Sequence, residues 1–299
     1  MPELPEVQTT VKDLEKKIIG LRIIDVWTDA PRLIKRPSFE TFKKQIKGAK
    51  IEKISRRGKN ILIHLNPKSK TQKSKLILLI HQKLTGHLLY GSWIMKEGSW
   101  TPAQKGPLEE RVNQYIHLLF FLNNGKMLAL SDLRKFAKVI LGPKEEIENL
   151  AELKNLGIEP LDRKFTFEKF KEIIQQTPSK RKIKQVLMDQ TIISGIGNIY
   201  SDEILWEAKI HPFKLSYKLN NQELKAIYQA IKKILTKAIK LRGTSISDFR
   251  DPRGREGKYT EIRSVYRREG EPCYRCGSKI KKVKIGGRSA YFCPKCQKT

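Results

Sequence analysis

The spacing of apolar residues divides this 299-residue chain into stretches of different period. Val7, Val11, Leu14 and Ile18 fall on one helical face, Pro5 suits a first turn, and Gly20 ends the pattern, so a helix is expected at the extreme N-terminus. Short β-rich runs follow at 21–28, 51–56, 60–65, 76–81, 87–91, 115–122, 126–130 and 136–141. Turn signals separate them at Arg57-Gly58-Lys59, between Gln82 and Gly86, and at Asn124-Gly125. Such a series predicts a β-sandwich or barrel carrying the N-terminal helix. Residues 68–75 (KSKTQKSK) lack apolar anchors and read as a flexible surface loop.

After Gly142-Pro143 the period becomes helical, as at Phe167, Phe170, Ile173 and Ile174, and again at Leu224, Ile227, Ile231, Leu235 and Ala238. Asn220 with Glu223 reads as a capping box for the second run, and Gly243 as its terminator. Residues 244–258, rich in glycine and poor in apolar side chains, predict a mobile, lid-like loop. Two short strands at 280–283 and 290–292 flank Gly286-Gly287-Arg288. The fold class is α+β: sandwich first, helices second, a small hairpin module last.

Composition narrows the partner. Lys plus Arg is 61 against 31 for Asp plus Glu, a formal charge of +30, while 39% of residues are hydrophobic. That combination implies folded domains with a polyanionic partner, nucleic acid foremost, and binding that weakens steeply with salt. No apolar run approaches the roughly 20 residues needed to cross a membrane, and a cytosolic protein is expected. Cys273, Cys276, Cys293 and Cys296 form C-x2-C-x16-C-x2-C, a spacing that suits four thiolates around one structural Zn2+ with no open coordination position.

Met1-Pro2-Glu3-Leu4-Pro5-Glu6-Val7 carries the candidate chemistry. Removal of Met1 would leave the secondary amine of Pro2 at the terminus, and an α-amine near pH 8 offers far more neutral nucleophile at pH 7 than a lysine does. Glu3 and Glu6, three apart, lie together at the helix start, whose dipole also disfavours a protonated amine. Lys59 sits at a hairpin tip, where lysines are usually solvated; it gains interest only if the tip faces the N-terminus. Residues 192–200 (IISGIGNIY) form a glycine-marked turn before a helix, where N–H groups and Asn198 can bind phosphate, and 179–184 (SKRKIK) adds four positive charges.

Six stretches in order, PELPEV, RRGK, DLRKF, GIGNIYSDE, GEPCYRCG and GGRSAYFCPKCQ, make the chain resemble the formamidopyrimidine-DNA glycosylases over essentially its whole length. The resemblance implies a catalytic β-sandwich domain at 1–142, a helix-two-turn-helix DNA-binding domain at 143–243, a lesion-capping loop at 244–264 and a zinc finger at 265–299, with DNA held between the domains. It implies a monomeric, cytoplasmic, nucleoid-associated enzyme that removes oxidised purines from duplex DNA and cuts the strand at the abasic sugar. In that scheme Pro2 attacks C1′, Glu3 protonates the sugar, Glu6 steadies the amine, and Lys59 and Arg288 grip phosphates and assist β- and δ-elimination. Arg134 reaches the orphaned cytosine while Phe136 and Leu84 wedge into the space of the extruded base, Leu84 standing where most relatives have methionine. Asn198, Lys180 and Lys184 are expected to bind phosphate. Tyr115 replaces a DNA-contacting histidine, with His117 further along, and Ala137 replaces a usual glycine. The alternatives are the sister endonuclease VIII, which prefers oxidised pyrimidines, a DNA-binding protein without activity, and a zinc-ribbon RNA-binding protein.

Overall fold

A computed structural model describes residues 1–68, 74–177, 180–246 and 248–298. Most of the expected surface loop at 68–75, and Ser179 of the basic run, lie outside the described residues. The chain forms two compact units: Met1–Lys154 with Leu241–Thr260, and Asn155–Lys240 with Glu261–Thr299.

In the first unit, α1 (Leu4–Ile18) is followed by β1 (Ile23–Thr28), β2 (Ile34–Arg36), α2 (Phe39–Ile46), β3 (Lys50–Arg57), β4 (Asn60–Asn66), β5 (Leu76–His81) and β6 (His87–Gly91). Then come β7 (Trp93–Lys96), β8 (Ser99–Pro102), β9 (Ile116–Leu122), β10 (Met127–Ser131), β11 (Lys138–Pro143), α3 (Lys144–Glu148) and α4 (Ala151–Lys154). One sheet runs β2-β11-β5-β4-β3 and the other β1-β9-β10-β6, antiparallel except where β2 meets β11. Alternate residues make the sandwich core: Ile61, Ile63 and Leu65 of β4 and Leu76, Leu78 and Ile80 of β5 join Leu118, Phe120 and Leu122 of β9, with Val7, Val11, Leu14 and Ile18 of α1. Leu119 and Ala129 face the other way, into a second cluster with Trp93 and Ile116 beside the β7–β8 hairpin. The second sheet is therefore buried on both faces there, which explains the unbroken apolar run from Leu118 to Leu122 in β9.

The second unit holds α5 (Phe167–Gln175), α6 (Ile183–Met188), α7 (Asn198–Glu207), α8 (Asn221–Lys240), α9 (Tyr259–Ile262, which straddles the unit boundary), β12 (Lys281–Ile285) and β13 (Arg288–Phe292). The capping box before α8 is present in both directions: Asn220 N–H donates to Glu223 Oε2 at 3.0 Å and Glu223 N–H to Asn220 Oδ1 at 2.9 Å. β12 and β13 join through Gly286 (φ +54°) and Gly287 (φ +75°), two positive-φ residues that make the tight turn of a two-residue hairpin.

Residues 249–258, read from sequence as part of a mobile loop, are fastened to the first unit instead. The Tyr90 N–H donates to Pro252 O at 2.8 Å, and Asn113 Nδ2 donates to Gly254 O at 3.2 Å. Arg250 is buried and ion-paired with Glu110 and Glu256, while Arg242 pairs with buried Asp251. The loop's charges, which look solvated in the sequence, find partners on other segments.

Candidate active site and nucleic-acid interface

α1 begins at Leu4, so Glu3 and Glu6 share its first turn. Glu6 is buried and uses both oxygens: Oε2 accepts the Glu3 N–H at 2.7 Å, and Oε1 accepts the Thr244 N–H at 2.7 Å. The neighbouring residue must be glycine, because Gly243 has φ +81° and a Cβ there would lie 2.7 Å from Glu6 Oε1. Pro2 and Glu3 are buried beside this clasp. The terminal amine, here that of Met1, is held below its ordinary value of 8.0, chiefly by burial and also by the Lys59 ammonium, against the opposing pull of Glu3, Glu6 and Asp248.

Lys59 therefore faces the N-terminus, the condition that makes a hairpin-tip lysine interesting. It is only 7% exposed, contrary to the solvated surface expected of such a tip. Arg56 explains the placement: its Nε donates to Gln8 Oε1 of α1 at 3.0 Å and its Nη1 to Gly58 O at 2.7 Å, tying the tip to the helix. Next to it, His81 ends β5 opposite Asn60. Burial first, then Lys83 and Lys59, push the His81 imidazole down to about 3. Its Nδ1 accepts the Lys83 N–H at 3.0 Å, so the neutral ring carries its proton on Nε2. His81 was not singled out in the sequence; its signal is the strand register that places it beside the RRGK hairpin.

A second cluster is built by buried Asp132. Its Oδ2 accepts the Phe136 and Ala137 N–H groups, both at 2.7 Å, and its Oδ1 accepts the Thr85 hydroxyl. Thr85 Oγ1 in turn accepts the Arg134 N–H at 3.2 Å. One carboxylate thus folds DLRKF and joins it to the turn carrying Leu84. Arg134 stacks on Phe136, its guanidinium carbon 4.6 Å from the ring centroid, and Phe136 and Leu84 remain 49% and 37% exposed. Tyr115 belongs to the same locality, because its carbonyl accepts the Asp132 N–H at 2.8 Å. His117 does not: it is buried against Asp29, at 2.9 Å. Ala137 packs its methyl into the sandwich core, where no glycine is required.

In the second unit, Asn198 is the first residue of α7, and the preceding turn is shaped by Gln190, which accepts the Gly195 N–H at 2.9 Å and donates to Ile196 O at 2.7 Å. Lys180 is exposed. Lys184 is not the surface phosphate ligand that its basic run predicts. It is 0% exposed, ion-paired with Asp202 of α7, and donates to Ser289 O of β13 at 3.0 Å. Burial pushes Asp202 up to about 7 against the pull of Lys184, and Asp202 also accepts the Tyr291 N–H at 3.0 Å. This network locks α6, α7 and β13 together, and with them Asn198 and Arg288. The half-buried Arg181 lies beside Arg288: both line a cavity of about 260 Å³, and Arg181 pairs with Asp189 at 2.8 Å.

The four cysteine sulfurs lie within 4.8 Å of one another, with Cys273–Cys296 at 3.9 Å and Cys276–Cys293 at 3.4 Å. A tetrahedral Zn2+ with bonds of about 2.3 Å needs edges of roughly 3.8 Å, so the donor set fits one structural zinc. Trp206 Nε1 donates to Cys273 Sγ at 3.4 Å, the outer hydrogen bond that steadies a thiolate. Glu203 next to the buried pair accepts N–H groups of Ser264, Val265 and Tyr266 at 2.7 to 3.0 Å, anchoring the finger to α7.

Three family models match in order: the formamidopyrimidine-DNA glycosylase N-terminal domain over 1–139, its H2TH domain over 156–250, and the zinc finger found in FPG and IleRS over 270–299. The chain belongs to the formamidopyrimidine-DNA glycosylase family. It is 41% identical over 298 residues to the formamidopyrimidine-DNA glycosylase of Pelotomaculum thermopropionicum, covering 100% of this chain and 99% of the relative. The enzyme of that name from Desulforamulus reducens is 40% identical over 299 residues, with the same coverage. A crystal structure of a Lactococcus lactis FPG mutant with Fapy-dG-containing DNA superposes with a TM-score of 0.84 at 34% identity, covering 100% of both chains. The L. lactis enzyme with abasic-site DNA gives 0.83 at 34%, covering 99% of this chain and 100% of that one. This is a family of DNA glycosylases acting on damaged DNA, with a β-sandwich, a helix-two-turn-helix region and a zinc finger. No helix among the described residues is long and apolar enough to cross a membrane.

Proposed function

We propose that this enzyme excises oxidised purines, 8-oxoguanine and formamidopyrimidines, from duplex DNA and then cleaves the abasic strand by β,δ-elimination. The observation that carries the reading is the buried terminal amine under the joint influence of Glu3, Glu6 and Lys59, with its pKa held below the ordinary value. Removal of Met1 transfers that role to the Pro2 nitrogen. Its lone pair forms a bond to C1′ as the C1′–N bond breaks, and the electron pair leaves with the base, which takes up the proton that the amine nitrogen gives up. Glu3 delivers a proton to O4′ as the sugar ring opens, leaving an iminium between Pro2 and C1′. Loss of the C2′ proton expels the 3′ phosphate, a second elimination expels the 5′ phosphate, and water releases the enzyme. Glu6, clasped by Thr244, keeps the amine's neighbourhood fixed. Lys59, Arg288, Asn198 and Lys180 bind phosphates, neutral His81 donates through Nε2, and Arg134, Phe136 and Leu84 occupy the stack that the extruded base vacates, with Tyr115 beside them.

A substrate panel tests this. Duplexes carrying one 8-oxoguanine, formamidopyrimidine, thymine glycol or abasic site, each opposite cytosine or adenine, are incubated with enzyme and the strand breaks quantified. Excision of the purine lesions opposite cytosine, by at least about tenfold over the pyrimidine lesion, is expected. A preference for thymine glycol assigns the endonuclease VIII specificity instead; an oxidised-pyrimidine DNA complex of the L. lactis enzyme is the reason to include that arm.

A further inference from the structure

A second cavity opens in the first unit, lined by Lys16 of α1 but by none of Glu3, Glu6 or Lys59. From Glu6 to Lys16 is ten residues of helix, roughly 15 Å along the axis, so the cavity extends away from the N-terminal clasp, which it approaches only at Arg242, the chain neighbour of Gly243. Its volume of about 350 Å³ is at the small end of ligand sites, suited to a molecule of mononucleotide size. Tyr90, Pro107, Leu108 and Pro252 supply apolar wall. Those walls are held: the Tyr90 N–H donates to Pro252 O at 2.8 Å, and Asn124 Nδ2 donates to the Tyr90 hydroxyl at 2.9 Å.

Four separate segments bring cations to this concavity: Lys16 and Lys17 from α1, Lys105 from the loop after β8, Lys126 from the β9–β10 turn, and Arg253 from the turn after Asp251. Asp13, the one carboxylate lining it, is already paired with Arg242, which buried Asp251 also neutralises. Among the described residues, none of those five cations has an acidic partner within ion-pair distance. Lys126 sits 5.5 Å from the Tyr90 ring centroid, so charge and π-face are presented together. Uncompensated positive charge around a rigid, partly aromatic wall matches one ligand chemistry, a phosphate attached to a flat base.

We propose that this cavity is a second nucleotide-binding site, distinct from the damage site. Phosphate is drawn by the lysines and Arg253, and the base or sugar lies against Tyr90, Pro107, Leu108 and Pro252. Free nucleotide and a nucleotide of a single strand share this chemistry.

The test uses full-length, zinc-loaded protein saturated with a duplex carrying a tetrahydrofuran abasic analogue, so that the damage-binding groups are occupied. N-methylanthraniloyl-dGMP is then titrated and followed by fluorescence anisotropy. Saturable one-to-one binding is expected, weakened about tenfold or more in Lys17→Glu/Lys126→Glu. Lys225→Glu/Lys237→Glu, which changes net charge equally on exposed positions of α8, should bind as the parent does. Retained duplex binding by both variants reports that they are folded. Competition distinguishes the sources: dGMP and pentathymidylate competing equally assigns the free nucleotide, and a much tighter pentathymidylate assigns a strand. Equal weakening by the two double variants, or inorganic phosphate competing as well as dGMP, would overturn the proposal.

Discussion

One oxygen of Glu6 holds the Glu3 amide and the other holds Thr244, with Gly243 packed so close that a Cβ there would lie 2.7 Å from Oε1. Gly243→Ala forces a side chain into a left-handed conformation and against Glu6, so a loss of about 1–3 kcal/mol is expected, readable as a lower Tm. Excision should fall more than stability explains, because the displaced carboxylate borders the amine; an active, merely less stable variant would contradict this. The amine itself predicts a pH profile. Attack needs its neutral form; burial, and with it Lys59, holds the Met1 amine below 8.0, and a Pro2 amine in the same surroundings should give single-turnover excision that rises with pH through a midpoint below that of a free prolyl amine. Lys59→Ala removes one lowering influence, and the midpoint should move up.

At the scale of elements, two turns far apart in sequence are made into one surface by Asp132. Asp132→Ala strands the Phe136 and Ala137 N–H groups and frees the Leu84 turn, costing about 3 kcal/mol. Damaged-duplex affinity should drop as Arg134 and Phe136 lose their mutual placement, measurable on an abasic-analogue duplex; affinity unchanged in a destabilised protein would show that the loop needs no template. Elements whose pattern is local were legible in the sequence: β5 and β6 start and end where the β-rich runs do, Asn124-Gly125 makes its hairpin, and Asn220 with Glu223 caps α8. β2 and the β7–β8 hairpin were not, because three- and four-residue strands carry too few alternations and owe their existence to partners elsewhere; α2 was missed although Phe42 and Ile46, four apart behind Ser38, carry its period. The same reason hid Asp132 and His81, ordinary residues in sequence whose roles arise from what the fold sets beside them, and made Lys184 look like surface when it lies in the interior.

Across the whole molecule, charge is used in two opposite ways. The chain carries a formal excess of +30, which favours a polyanionic partner, whereas Lys184 lies inside the second unit, where it joins Asp202 to the finger's hairpin. Lys184→Met leaves a buried carboxylate without its counterion, and destabilisation of about 3–5 kcal/mol is expected, detected as a loss of zinc retention and thermal stability in the second unit. Asp202→Asn in the same background should recover part of it. A surface phosphate ligand would instead give a stable protein with weaker, less salt-dependent DNA binding.

The central claim, that the terminal amine is the nucleophile, is tested most directly by borohydride trapping on a duplex carrying one 8-oxoguanine opposite cytosine, followed by mass spectrometry of the adduct peptide. A covalent complex on a peptide beginning at Pro2, absent from protein that retains Met1, is the predicted result. Base excision without any adduct in protein beginning at Pro2, or an adduct on Lys59, would contradict it.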